Sequence, residues 1–151
     1  MEKLKIKLGD ILQLESEING LVSQETGEVI YEGFLKQKLN IVLKYDLTEL
    51  SDFLKKERKK IETLRDDIIK KYGEDDGNGG VLVRMFDEEK DEAGNVVKRT
   101  MNPKYVEFDK EYGELLNKDI DIEHPEITKE DLKGAGKTKD DYKALFKLIK
   151  K

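Results

Sequence analysis

A chain of 151 residues with 42% charged side chains, 36% hydrophobic ones and a net charge of −5 has material for a narrow core only. The lack of cysteine excludes disulfides, thiolate nucleophiles and cysteine-based zinc sites, and no apolar run approaches the roughly 18 residues of a membrane span. The acidic balance offers no basic footprint for nucleic acid, and the ordered apolar periods argue against disorder despite the charge.

Residues 3–8 alternate strictly, with Leu4, Ile6 and Leu8 on one side and lysines on the other, which predicts a half-buried strand. The same segment lacks the apolar stretch of a signal peptide, so the protein is expected to act in the cytoplasm or inside an assembled particle. Gly9 is expected to end the strand, and Asp10 to cap a short helix carrying Ile11, Leu12, Leu14 and Ile18, weakened at Gly20. Residues 23–28 read as a polar connection with a Thr-Gly turn.

The dominant pattern lies between Phe34 and Tyr72, where there is neither proline nor glycine. Leu39, Leu43, Leu47, Leu50, Leu54, Ile61, Leu64, Ile68 and Tyr72 recur at spacings of three, four or seven, with Glu57 as the one polar member. This stripe is the candidate core or interface. One unbroken helix of ~39 residues would be about 58 Å long, against a radius of gyration of about 15 Å for a compact chain of this size. The favoured expectation is a break or kink near Asp46-Leu47-Thr48, with Thr48 capping a second helix to form a helical hairpin or an angled pair. The other is an extended arm over 34–72. Gly73 stands where a C-cap glycine belongs.

Glu74–Gly80 reads as a flexible turn. A β-hairpin over 81–101 follows, with strands at 81–86 and 96–101 and a turn at 91–95. Asn102-Pro103 opens a helix lined by Tyr105, Phe108, Tyr112, Leu115 and Leu116. Residues 119–123 alternate as a strand, Thr128–Asp131 cap a single helical turn ending near Gly134, and 139–150 predict a last helix with Tyr142, Leu145, Phe146 and Ile149. The fold class expected is α+β in a single domain over 1–151. A small mixed or antiparallel sheet is built from 3–8, 81–86, 96–101 and 119–123, with long amphipathic helices on one face.

The motifs that suggest chemistry do not complete. Gly136-Lys137-Thr138 ends like a phosphate-binding loop, but Asp131 occupies the position of the required first glycine. A calcium loop begun at Asp75 puts Gly77, Gly79 and Phe86 where oxygen ligands belong; one begun at Glu89 puts Ala93 and Thr100 there. His124, the single histidine, precedes Pro125 at a strand end with no Ser or Cys partner at a recognisable spacing. Asp66-Asp67 and Asp140-Asp141 diverge by about 100° on a helix, and Glu107/Glu111 share a face as a solvated pair. The basic run Lys55–Lys60, with Arg65, Lys70 and Lys71, is interleaved with Glu57, Glu62, Asp66 and Asp67, the pattern of a salt-bridged exposed helix rather than a phosphate track. No catalytic, metal or cofactor residue is expected. An apolar stripe this long exceeds what so hydrophobe-poor a chain can cover, which points to a protein partner or to self-association.

Lys44-Tyr-Asp-Leu-Thr-Glu-Leu-Ser51, Leu64–Gly80, the helix Asn102–Leu116 and the Ile-Asp-Ile-Glu-His124 strand together give a layout over most of the chain. It resembles the small uncharacterised proteins encoded by tailed bacteriophages, including crAss-like phages of gut Bacteroidales. The resemblance carries no functional residues. It implies a phage setting in the bacterial host cytoplasm or the virion, and two binding roles: a minor virion or assembly accessory protein, or an inhibitor of a host enzyme or defence system.

Overall fold

The alternation at the N-terminus becomes β1 (Glu2–Lys7), whose partner is the other alternating segment, β8 (Asp119–His124). The strands are antiparallel, with Leu4 opposite Ile122 and Ile6 opposite Ile120, so that one face of the ribbon is apolar. The computed structural model describes residues 2–137 and 141–149, with the backbone alone at Tyr31. In them the chain is α+β.

The expected four-stranded sheet is replaced by four separate two-stranded antiparallel ladders among the described residues. Besides β1–β8 these are β2 (Leu21–Val22) with β3 (Val29–Tyr31), β4 (Glu74–Asp75) with β5 (Val81–Leu82), and β6 (Phe86–Lys90) with β7 (Val96–Met101). The strand expected over 81–86 is interrupted at 83–85. Its first two residues pair back across the glycine turn, and its last joins the following hairpin.

Helix α1 (Leu8–Asn19) begins directly after β1, one turn earlier than Asp10 suggests. Asp10 lies in its first turn, where a carboxylate faces the positive end of the helix dipole. Gly20 closes it at φ 90°, donating its N–H to the Ser16 carbonyl at 2.8 Å.

Helix α2 (Ile41–Tyr72) is the extended helix of the two expectations, begun later than Phe34, and corrects the expected break. Phe34–Lys36 form a 3-10 turn. The α-helix starts after Asn40, whose Oδ1 accepts the Leu43 N–H at 2.9 Å. No break follows at 46–48: the Thr48 hydroxyl donates to the Lys44 carbonyl at 2.8 Å, a bond inside the helix rather than a cap. With no proline or glycine to interrupt the backbone ladder, α2 runs on for 32 residues. Helix α3 (Pro103–Leu116) starts as expected, with the Lys104 N–H donating to Asn102 Oδ1 at 2.9 Å. The short α4 (Lys129–Gly134) carries a capping box between Thr128 and Asp131.

The sequence predicts one domain, whereas the contacts group into two compact units, Met1–Lys59 with Asn117–Lys151, and Lys60–Leu116. The core belongs to the first unit. There Ile11, Ile18, Phe34, Leu47, Leu54, Ile127 and Leu145 are fully enclosed. Polar bonds join α1 to the first part of α2: Arg58 pairs with Glu15 and reaches Ser16 Oγ at 3.2 Å, and Ser51 donates to Asn19 Oδ1 at 2.7 Å. The helix expected over 139–150 is absent from its described part, which holds the 3-10 turn Leu145–Leu148; residues 138–140 and 150–151 lie outside the described residues. In the second unit Ile61 is the one fully buried apolar residue among those described, and Asn102 the one buried polar residue.

Candidate functional site

The sequence motifs resolve into backbone chemistry. In Glu74–Gly80, Asp75 Oδ1 accepts the Gly77 N–H at 2.8 Å, and Asp76 Oδ1 accepts those of Asn78 and Gly80 at 2.7 and 3.0 Å. Asp91 does the same for Ala93 and Asn95 in the second turn, at 3.0 and 2.9 Å. These carboxylates hold turns in which Gly77, Gly79 and Gly94 take positive φ. His124 is buried, and its Nδ1 sits 2.8 Å from the Pro125 carbonyl, so that nitrogen carries the proton and the ring is a structural donor. Lys137 follows the end of α4, and Thr138 lies outside the described residues. Among the described residues no three His, Cys, Asp or Glu side chains are grouped to hold a metal ion. Glu111 pairs with Lys71 at 3.1 Å. That hydrogen bond holds the Glu111 carboxyl below its ordinary range and the Lys71 amine above its own.

The stripe divides. Leu43, Leu47, Leu50 and Leu54 are buried in the first unit and Ile61 in the second, while Leu39 and Ile68 are half-buried. Leu64, expected in the core or in an interface, is 46% exposed in the single chain. It borders a groove of about 310 Å³ with Asp67, Ile68, Lys71, Glu111 and Leu115.

The second unit is unusual in what it leaves uncovered. Val81, Leu82, Met85, Val96, Met101 and Val106 are exposed, Val97 to 63%. No residue of β6 or β7 is buried. Its side-chain contacts lie at the surface: Arg99 meets Glu88 at 2.9 Å and lies 5.3 Å from the centre of the Phe86 ring. Along α3, Phe108 stacks on Tyr112 at 5.8 Å and meets Tyr105 at 6.2 Å. The unit also holds 15 of the 34 acids and 10 of the 29 bases, so the whole formal charge of −5 falls on it and the first unit is neutral.

No family model, curated protein or solved structure matches the chain. No helix among the described residues is long and apolar enough to cross a membrane.

Sequence reasoning missed Glu17, which is fully enclosed in the first unit, and the role of Tyr142 beside it. Tyr142 packs edge-on against Phe34 at 5.4 Å, and its hydroxyl has no hydrogen-bond partner among the described residues. Burial, aided by the negative charges of Asp141, Glu17 and Glu32, pushes the phenol up to about 12. The folded state therefore favours the neutral phenol. Between the ordinary tyrosine value of about 10 and about 12, the unfolded chain loses this proton first, so folding stability falls as pH rises through that window. Alkaline titration followed at 295 nm should show a late-ionising phenol that Tyr142→Phe removes. If the phenolate lost in that variant is one ionising near pH 10, the assignment is wrong.

Proposed function

We propose that the chain is a non-enzymatic protein-binding module that uses no cofactor, and that its second unit is the binding part. The observation that carries this reading is the mismatch between the units: one holds nearly the whole buried core, the other a set of exposed Val, Leu and Met side chains over a single buried Ile61. Apolar surface left contiguous with charged side chains is how partner-binding faces are built. In the phage setting that the resemblance implies, the module serves as a minor virion or assembly accessory protein in the host cytoplasm or the particle. A second reading, an inhibitor of a host enzyme or defence system, is favoured by the concentration of all net charge on the second unit, which suits a basic target site.

Light scattering after size exclusion, across low to high micromolar concentrations, and capture from lysates of infected and uninfected host cells test the reading. A defined oligomer, or stoichiometric capture of one protein, is expected. Val97→Asp should weaken either association at least about tenfold with folding intact. A partner found only in infected lysate supports the assembly role, and one from uninfected host supports the inhibitor. A strict monomer that captures nothing, or association indifferent to Val97→Asp and Leu64→Asp alike, overturns it.

A further inference from the structure

We propose that the free edge of β6 receives a third strand from a basic, extended segment of a partner protein. The proposal rests on the protein-binding reading and names its site and the chemistry of its occupant.

The backbone sets the edge. The Asn102 N–H donates to the Met85 carbonyl at 2.9 Å, in the same register that sets Phe86 opposite Met101 and Glu88 opposite Arg99. Antiparallel ladders alternate hydrogen-bonded and non-hydrogen-bonded pairs. Asp87 and Glu89 therefore bond to β7, while the N–H and C=O groups of Phe86 and Glu88 face away from it. No other strand among the described residues pairs with β6. A two-stranded ribbon is marginal in water, and a third strand is the usual remedy.

The side chains select the occupant. β6 carries Asp87, Glu88 and Glu89 in succession, and β7 meets the last two with Arg99 and Lys98. Glu88 and Glu89 face basic residues of β7 on one flank, and no strand among the described residues lies on the other. A strand bearing Lys or Arg at alternate positions would repeat on the open flank the pairing that β7 makes. The net charge of −5 on this unit draws such a segment in and repels nucleic acid, anionic membranes and an acidic strand approaching β7. A second copy fits poorly. Antiparallel pairing of β6 with β6 sets acids against acids, β7 with β7 sets bases against bases, and β6 with β7 of the next copy does not close.

The test uses the full chain and two labelled peptides, Thr-Val-Lys-Val-Arg-Val-Lys-Thr and its counterpart with Glu at the three basic positions, by fluorescence anisotropy and amide hydrogen exchange. The basic peptide is expected to bind at least about tenfold more tightly than the acidic one and to slow exchange at the Phe86 and Glu88 amides. Glu88→Pro removes an outward-facing N–H while leaving the β6–β7 bonds intact; it should abolish peptide binding with the hairpin's amide protection retained. If that hairpin is lost, Glu89→Gln carries the test, lowering the preference for the basic peptide at least about threefold. Equal binding of both peptides, no binding, or protection elsewhere overturns the proposal. So does concentration-dependent polymerisation of the chain that Glu88→Pro stops, which would make the occupant a second copy. Peptide binding absent while a captured partner is retained removes the β6 site and leaves the protein-binding reading standing; loss of both removes both.

Discussion

Replacing Glu17 with alanine should cost about 3–5 kcal/mol of folding stability, the scale of leaving several buried donors or a buried charge network broken. Glu17 is fully enclosed on α1, and its carboxylate accepts backbone N–H groups from the far end of the chain. It takes that of Lys143, that of Ala144 at 2.8 Å and that of Leu145 at 3.3 Å. Those donors open the 3-10 turn Leu145–Leu148, so the carboxylate gathers amides that no helical carbonyl can reach. Without it, two of the orphaned donors, at Ala144 and Leu145, are buried. Glu17→Gln keeps one acceptor oxygen but turns an amide NH₂ toward N–H groups, and should recover less than half of the loss. Urea unfolding gives the magnitude, and hydrogen exchange at 143–145 locates it. An unfolding midpoint unchanged in Glu17→Ala would mean that the carboxylate only decorates the turn.

This anchor was not legible in the sequence, for a physical reason. Glu17 sits in a helix of mixed polarity, and its partners are main-chain groups 126 to 128 residues away. Periodicity reports which side chains share a face, not which distant backbone will come to meet them. Local chemistry was easier to read. The alternation of Leu4 and Ile6, the Asn102-Pro103 start and the Thr128 cap all appear where the residues place them. The ambiguous cases turned on a choice the residue type leaves open. Thr48 can cap a new helix or bond back to the previous turn, and it bonds back. Asn40 caps α2 by the same rule as Asn102, although the apolar stripe already begins one residue earlier, at Leu39. Strand partners were the least legible. Four candidate strands allow many pairings, and the glycine turn at 77–80 lets Val81 and Leu82 fold back on Glu74 and Asp75 instead of joining a larger sheet.

The stripe's double character also explains why the candidate binding face was legible only as a surplus. Its first half, through Leu54, enters a core supplied by α1, β1, β8 and the C-terminal turn, and those elements come from both ends of the chain. Its second half lies in a unit made from one contiguous segment, with short ladders and one further helix. A segment of that kind has few apolar faces to offer in return, so Leu64 stays exposed while Leu54, ten residues earlier on the same helix, is sealed.

That difference makes a paired substitution decisive. Leu54→Asp should unfold the first unit. It forfeits about 2–3 kcal/mol of apolar transfer and places an ionised or costly neutral carboxyl where no water reaches, adding several more. Together they approach the about 5–15 kcal/mol that holds a domain of this size. Leu64→Asp puts the same side chain on the same helix face at a site already 46% exposed, where surface changes usually stay within about 0.5 kcal/mol. Circular dichroism and urea melts should show the first variant unfolded and the second native. The second variant should then lose affinity in the capture and light-scattering experiments while keeping its fold. Equal destabilisation at the two positions would mean that the far half of α2 is core as well, and that the surface offered to a partner lies elsewhere. Equal tolerance would mean that the stripe holds neither the core nor a partner.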